Sequence, residues 1–304
     1  MDVVNVSDYT GWEFEKSVQH DELYEWLERN FHICWGCAIF YVAAVFSGQK
    51  YMESKPRFNL RQPMLMWSIF LAIFSIMGTV RCLINMLTRL NNEGVRRLIC
   101  HSQIYDDPIL RFWGAVFIPS KVLEYIDTAF IVLRKQKLIF LHWYHHVTVS
   151  VFTWWCLTAR APGGPIYMTV NLFVHALMYT YYAARAARIP VPKPIAISIT
   201  VSQIMQMVIG CTTISLANLW RQDNDCRSSF SYVFWGGAMY ASYLVLFMHF
   251  FYNTYLKARP KEAKKPVPEP EEKETENRKV FEKDEKNAVN GNGYSLRERK
   301  RTTQ

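Results

Sequence analysis

Three histidines stand within five residues, in the run His142-Trp143-Tyr144-His145-His146. On a helix, positions three and four apart are neighbours, so His142, His145 and His146 share a face. Imidazole acts as a nucleophile, a general acid or base, or a metal ligand near neutral pH. The cluster therefore points to covalent acyl transfer, proton transfer or metal chemistry. A lone histidine would read as a satisfied core residue. Three on one turn, beside the basic run Arg134-Lys135-Gln136-Lys137, are hard to read as packing.

Other polar residues interrupt long apolar segments. Lys121, Glu124, Asp127 and Thr128 fall three or four apart, as do Asn171, His175, Tyr179 and Tyr182, with Tyr181 beside them, and Thr200, Gln203 and Gln206. A charged group at mid-span costs roughly 2.5–3.5 kcal/mol on insertion scales, so such residues face a protein interior and mark function. Each set also has a plainer reading. Lys121 and Glu124 neutralise each other as a lock between helices, and amides and tyrosines join helices by hydrogen bonds. His249, among Phe247, Phe250 and Phe251, reads as a hydrogen-bonded interior residue, and His20, His32 and His101 carry no assigned role.

The elements that must position these residues are membrane helices. The chain has 304 residues, half of them hydrophobic, gathered in blocks rather than dispersed. Candidate spans fall near 31–49, 64–88, 110–133, 138–158, 166–185, 195–217 and 230–255, each near the ~17–25 residues a helix needs to cross a bilayer. The expected architecture is all-α, with seven transmembrane helices. Residues 1–30 form an N-terminal segment, 31–256 the membrane catalytic domain and 257–304 a disordered tail rich in Lys, Glu, Pro and Asn. The first thirty residues lack the pattern of a cleavable signal, so the first span serves as its own insertion signal.

Charge sets the orientation. Lys50, Lys55, Arg57 and Arg61, then residues 134–137, then Arg185, Arg188 and Lys193, then the start of the tail all fall on one side. That side is expected to be cytosolic, and the N-terminus lumenal. Arg89, Arg96, Arg97 and Arg111 fall on the other side, so the positive-inside rule is obeyed in balance. Asn5-Val6-Ser7, a glycosylation acceptor triplet, falls in the lumen on this reading. So do Cys100 and Cys226, in the loops after the second and sixth spans, where an oxidising compartment permits a bridge or leaves two free thiols. The net charge of +9 follows from membrane topology rather than a nucleic-acid groove.

Three chemistries compete. A diiron desaturase or hydroxylase needs more imidazole ligands than one box, and the other histidines lack a second box spacing. A seven-span receptor or transporter uses polar interior residues too, but a dense histidine cluster near the cytosolic edge suits reactivity better than sensing. Acyl transfer through imidazole fits both the cluster and an amphiphilic substrate, with its polar head at the basic rim and its alkyl chain between helices.

The motifs narrow this further. Lys121-Val-Leu-Glu124-Tyr-Ile-Asp127-Thr128, His142-Trp-Tyr-His145-His146, Asn171-Leu-Phe-Val-His175-Ala-Leu-Met178-Tyr179 and Thr200-Val-Ser-Gln203-Ile-Met-Gln206 resemble, in order, the signature stretches of the ELO family of very-long-chain fatty acid elongases. The resemblance covers about residues 10–256. It implies a 3-oxoacyl-CoA synthase of the endoplasmic reticulum membrane, with six of seven helices enclosing a narrow acyl tunnel and no metal or cofactor. The implied reaction joins acyl-CoA to malonyl-CoA, releasing carbon dioxide and CoA, by a ping-pong route. In it His145 is the nucleophile, and His175 and Asn171 stabilise or protonate developing charge. His142, His146 and Asp127 orient the site. Lys121, Glu124, Arg134, Tyr181, Thr200, Gln203 and Gln206 are candidate substrate contacts.

The resemblance also implies that Cys100 and Cys226 are joined. Membrane lipid, a second copy of the chain and the other enzymes of the elongation cycle are the expected partners; nucleic acid is not. Trp143 within the box, the run Leu133–His142 and Trp12-Glu-Phe-Glu-Lys16 look like the branch acting on saturated and monounsaturated chains, around palmitoyl-CoA. The chain ends Arg301-Thr302-Thr303-Gln304, without the dilysine-type spacing of many members, so a terminal signal does not support residence in the endoplasmic reticulum.

Overall fold

A computed structural model describes residues 11–18, 20–100, 106–222, 226 and 228–257. Asn5 and residues 258–304, which hold nearly all of the expected tail, lie outside the described residues, as does His101. Among the described residues every regular element is a helix: α1 (Glu13–Lys16), α2 (His20–Arg29), α3 (Phe31–Glu53), α4 (Arg61–Cys100), α5 (Pro108–Leu123), α6 (Tyr125–Leu133), α7 (Phe140–Thr158), α8 (Gly164–Ala186), α9 (Lys193–Leu219) and α10 (Phe230–Phe251). A π-helical turn, Tyr252–Leu256, continues α10.

Hydrophobicity is distributed as a bilayer demands. Large apolar side chains face outward, among them Phe40, Met66, Ile73 and Val245. Buried inside are Lys121, Glu124, Asn171, His146 and His175. In lipid, outward apolar surface costs nothing, while interior polar groups need partners that only neighbouring helices supply. By length and composition, α3, α4, α9 and the stretch Phe230–Leu256 are each sufficient to cross a membrane. α4 packs chiefly on α8, α9 on α10, and α3 on α6 and α7. The close approach at Gly78 leaves no room for a side chain, because a Cβ there would meet the Trp113 ring at 2.9 Å.

Two expected features differ in detail. The apolar stretch 110–133 is not one helix. Pro119 inside α5 lacks an N–H and weakens the preceding turn, and the chain breaks at Glu124 before resuming as α6. Lys121 and Glu124, both buried, lie at that break. Cys100 is not in a loop but ends α4, whose axis changes at Gly94, with φ of 78°. Glycine tolerates that left-handed backbone because it has no Cβ. Cys100 is joined to Cys226 by a disulfide, and Gly163 donates its N–H to Ile99 O at 2.9 Å nearby.

The N-terminal segment supplies a buried charge that its sequence did not announce. Glu15 on α1 is fully buried. Its carboxylate accepts from Arg81 Nε at 2.8 Å and pairs with the Arg81 Nη2. It also accepts from the Trp113 indole at 3.1 Å and the Trp12 backbone N–H at 2.8 Å, and the Trp12 ring lies 4.2 Å from the guanidinium. These contacts clasp α1 to α4 and α5. Burial pushes the Glu15 carboxyl pKa up, but Arg81 and the two tryptophan donors outweigh it and hold it below 4.5, its ordinary value. A depressed folded pKa gives stability that is present above the unfolded value and lost as pH falls through the folded one. The thermal midpoint is therefore expected to drop on acidification below about 4.5, the ordinary carboxylate value. Arg81→Met, which strands the buried carboxylate, should cost about 3–5 kcal/mol at neutral pH. Glu15→Leu together with Arg81→Met should recover most of that loss and flatten the acid limb. Thermal melts of the three proteins against pH check both.

Candidate active site

α7 begins at Phe140, and its first two turns carry the histidines into a polar chamber. His142, His145 and His146 all line it, with Asp127, His175 and Tyr179 opposite. The His142 and His146 rings lie 4.5 Å apart, and His145 and His146 5.5 Å apart. His142 and His145 are each placed by a different neighbour. His142 Nε2 meets Thr128 Oγ1 at 3.0 Å, and Tyr41 OH holds that hydroxyl at 2.8 Å. The Tyr243 ring packs 5.0 Å from His145. Buried His146 has a Nδ1 without a hydrogen-bond partner among the described residues.

Asp127, on the first turn of α6, is held from both sides. The Trp67 indole donates to Oδ1 at 2.8 Å and the Tyr179 hydroxyl to Oδ2 at 2.6 Å. Below it lies a buried network. Lys121 Nζ donates to Glu124 Oε1 at 2.6 Å and to Asn171 Oδ1 at 2.7 Å. His175 Nδ1 stands 3.3 Å from the same carboxylate oxygen. Glu124 Oε2 is buried without a partner among the described residues.

The chamber adjoins two other spaces. On one side lies an apolar pocket lined by α5, α7, α8, α9 and α10, including Gly114, Phe117, Val149, Leu157 and Met168. His145, Asn171, Gln206 and Met207 line both, so they stand at the junction. On the other side lies a basic mouth containing Arg61, Arg134, Arg185 and Arg188, with Tyr181, which shares Asp127, His142 and Tyr182 with the chamber. The helix ends place those arginines. α6 and α8 both finish with a left-handed residue, Lys135 and Arg188. Gln136 N–H to Ile131 O and Ile189 N–H to Ala184 O, each 2.9 Å, close the turns. Arg61 Nε donates to Ala186 O at 2.7 Å across the mouth.

The sequence-singled residues are therefore not all in one place. Gln203 and Gln206 line the chamber. Arg134 and Tyr181 stand at the mouth. Lys121 and Glu124 lie behind the chamber wall, and Thr200 is buried apart from it, against Ala196 O and Tyr255 OH. His249 is not interior: it is exposed and bonded to Asn253. Trp67, Tyr41 and Tyr243 went unremarked in the sequence, since nothing in their spacing separates them from ordinary aromatic packing. Among the described residues, no group of three or more His, Cys, Asp or Glu side chains is arranged to hold a metal ion.

An outwardly apolar helical body with a histidine-lined interior between a basic mouth and an apolar pocket defines a helical membrane protein. Residues 26–263 match the family described as ELO: GNS1/SUR4. The chain belongs to that family. It is 42% identical over 256 residues to very long chain fatty acid elongase 6 of Homo sapiens, covering 84% of this chain and 96% of that protein. It is also 42% identical over 227 residues to very long chain fatty acid elongase 3 of Mus musculus, covering 75% and 84%. Over 264 residues it is 38% identical to a putative fatty acid elongase 3 of Caenorhabditis elegans, covering 85% and 82%.

Proposed function

We propose that this chain is a very long chain fatty acid elongase, condensing a long-chain acyl-CoA with malonyl-CoA to give a 3-oxoacyl-CoA two carbons longer. Family membership and relatives named as elongases support the enzyme class. One observation carries the chemistry: His145 lines both the polar chamber and the apolar pocket. A nucleophile at that junction meets the carbonyl of a substrate whose alkyl chain fills the pocket and whose head fills the chamber.

The cycle then runs in two halves. A ring nitrogen of His145 attacks the thioester carbon, the C–S bond breaks, and CoA leaves as its thiolate, taking the proton the imidazole sheds. Malonyl-CoA next loses carbon dioxide, and the electron pair of the broken C–C bond forms an enolate. Its carbon attacks the acyl-imidazole, the C–N bond breaks, and His145 takes up a proton from solvent. Arg61, Arg134, Arg185 and Arg188 at the mouth suit the phosphates of CoA, since guanidinium pairs with phosphate through charge-assisted hydrogen bonds. Asp127 and His142, both tethered, orient the chamber.

On this reading the chain crosses the membrane seven times, α5 and α6 together making one interrupted span, with six helices around the acyl tunnel. It resides in the endoplasmic reticulum with a lumenal N-terminus and a cytosolic basic mouth. Residues 31–256 are the catalytic domain, and saturated and monounsaturated acyl-CoA near palmitoyl is the preferred substrate class. Purified protein given malonyl-CoA and a graded panel of acyl-CoAs is expected to release carbon dioxide and 3-oxoacyl-CoA. Failure to extend any member of the panel would overturn the elongase reading and return the chain to the alternatives, a diiron enzyme or a seven-span receptor or transporter.

A further inference from the structure

Lys121 and Glu124 do not line the chamber, the apolar pocket or the mouth, yet each touches a residue that does. Lys121 Nζ reaches Asn171 Oδ1 at 2.7 Å, and Glu124 Oε1 stands 3.3 Å from His175 Nδ1. All four side chains are buried. We propose that Lys121 and Glu124 form a positioning pair that fixes the polarity of Asn171 and His175: it turns the Asn171 NH2 group toward the reacting carbonyl and leaves the His175 Nε2 lone pair free. The inference rests on the elongase reading given above and assigns the work within that site.

The argument is one of donors and acceptors. An ammonium has three donors and no acceptor, so the Asn171 atom facing Lys121 must be its carbonyl oxygen. The amide nitrogen is then directed away from Lys121. Asn171 lines both the chamber and the apolar pocket, as His145 does, and on this proposal its NH2 meets the thioester carbonyl at that junction. An amide donor there stabilises the oxyanion of the tetrahedral intermediate, and losing one such donor typically costs about 100–1000-fold in rate.

The same logic fixes His175. A carboxylate only accepts, so the ring nitrogen facing Glu124 carries a proton, and in the neutral ring Nε2 then carries the lone pair. His175 is then a proton acceptor, suited to receive the proton His145 sheds and pass it to the departing thiolate. It is not the oxyanion donor. The two roles that the motif leaves shared between Asn171 and His175 are thereby divided. Lys121 and Glu124 also neutralise each other at the break between α5 and α6, which lets an ionic pair sit in the interior without a net charge.

A merely structural lock at the helix break would require only that charge balance, and the test separates the two. In wild-type protein with 15N-labelled histidine, the His175 signals are identified by their loss in His175→Gln. They are expected to report a protonated Nδ1 and a bare Nε2; the opposite tautomer or a cation would overturn the proposal. In the second arm, Lys121→Met with Glu124→Gln keeps neutrality and near-native size. Its thermal midpoint should stay close to wild type while kcat falls about 100-fold or more, the usual cost of one lost oxyanion donor, with little change in KM for acyl-CoA. A folded double variant with near-native kcat would equally overturn it. If that variant does not fold, the wild-type tautomer decides. Elongation by wild type, measured alongside, reports separately on the function: no turnover with the expected tautomer sinks the elongase reading and not the geometry.

Discussion

His145→Ala is expected to abolish acyl transfer to the protein and to lower elongation on the order of 10⁴–10⁶-fold, the range seen when a covalent nucleophile is removed. That is roughly 5.5–8 kcal/mol of lost transition-state stabilisation at 1.36 kcal/mol per decade. Intact-protein mass spectrometry after exposure to acyl-CoA alone should find wild type heavier by one acyl group and His145→Ala unmodified. The contrast with His142 gives the test its force. His142 is tethered to Thr128 and shares the chamber with the mouth, but it does not line the apolar pocket. His142→Ala should slow turnover by a smaller factor, about 10²–10⁴-fold as for a general acid–base group, and still acylate. An undiminished adduct on His145→Ala would transfer the nucleophile's role elsewhere and remove the mechanism's first step.

Much of this geometry was legible in the sequence because helical spacing is a strong constraint. His142, His145 and His146 on one face, and Asn171, His175, Tyr179 and Tyr182 on another, follow from a period of 3.6 residues. Both sets line one chamber. Polar residues within apolar stretches could be assigned inward because lipid tolerates them poorly.

Spacing alone stops at the single helix. It could not show that the 110–133 stretch breaks at Glu124, because Pro119 is compatible with either a kink or a stop. Nor could it tell Lys121, behind the wall, from Arg134, at the mouth; both are cations near helix ends, and only the packing of α8 against the break decides. Trp67 and Tyr41 hold Asp127 and Thr128 from other helices, and such long-range partners leave no local pattern. Glu15 is the clearest case. Among the acidic residues of the N-terminal segment it has no distinguishing neighbour in sequence, and its burial follows from Arg81, 66 residues away.

Gly114→Leu is expected to shift the preferred acyl chain toward shorter lengths. Gly114 lines the apolar pocket from α5. A Cβ added there would approach Leu157 Cδ1 at 3.3 Å and Cδ2 at 3.7 Å, both at the end of a flexible side chain that can give by a few tenths of an ångström. Replacing glycine also favours the helix, so the fold should survive. The remaining carbons of the new side chain would then take space that an alkyl chain otherwise fills. Along α7 the pocket runs from His145 to Leu157, about 18 Å at ~1.5 Å per residue. Losing room for some three methylenes, at ~0.8 kcal/mol each, removes about 2.4 kcal/mol of binding from the longest chains. The ratio of kcat/KM between long and short acyl-CoA should fall roughly 50-fold, since 1.36 kcal/mol is a factor of ten. Acylation of His145 by a short acyl-CoA should be unchanged, because the junction is untouched. Product distributions from the acyl-CoA panel provide the measurement. A uniform loss across all lengths would mean that Gly114 matters for packing alone and that the alkyl chain lies elsewhere.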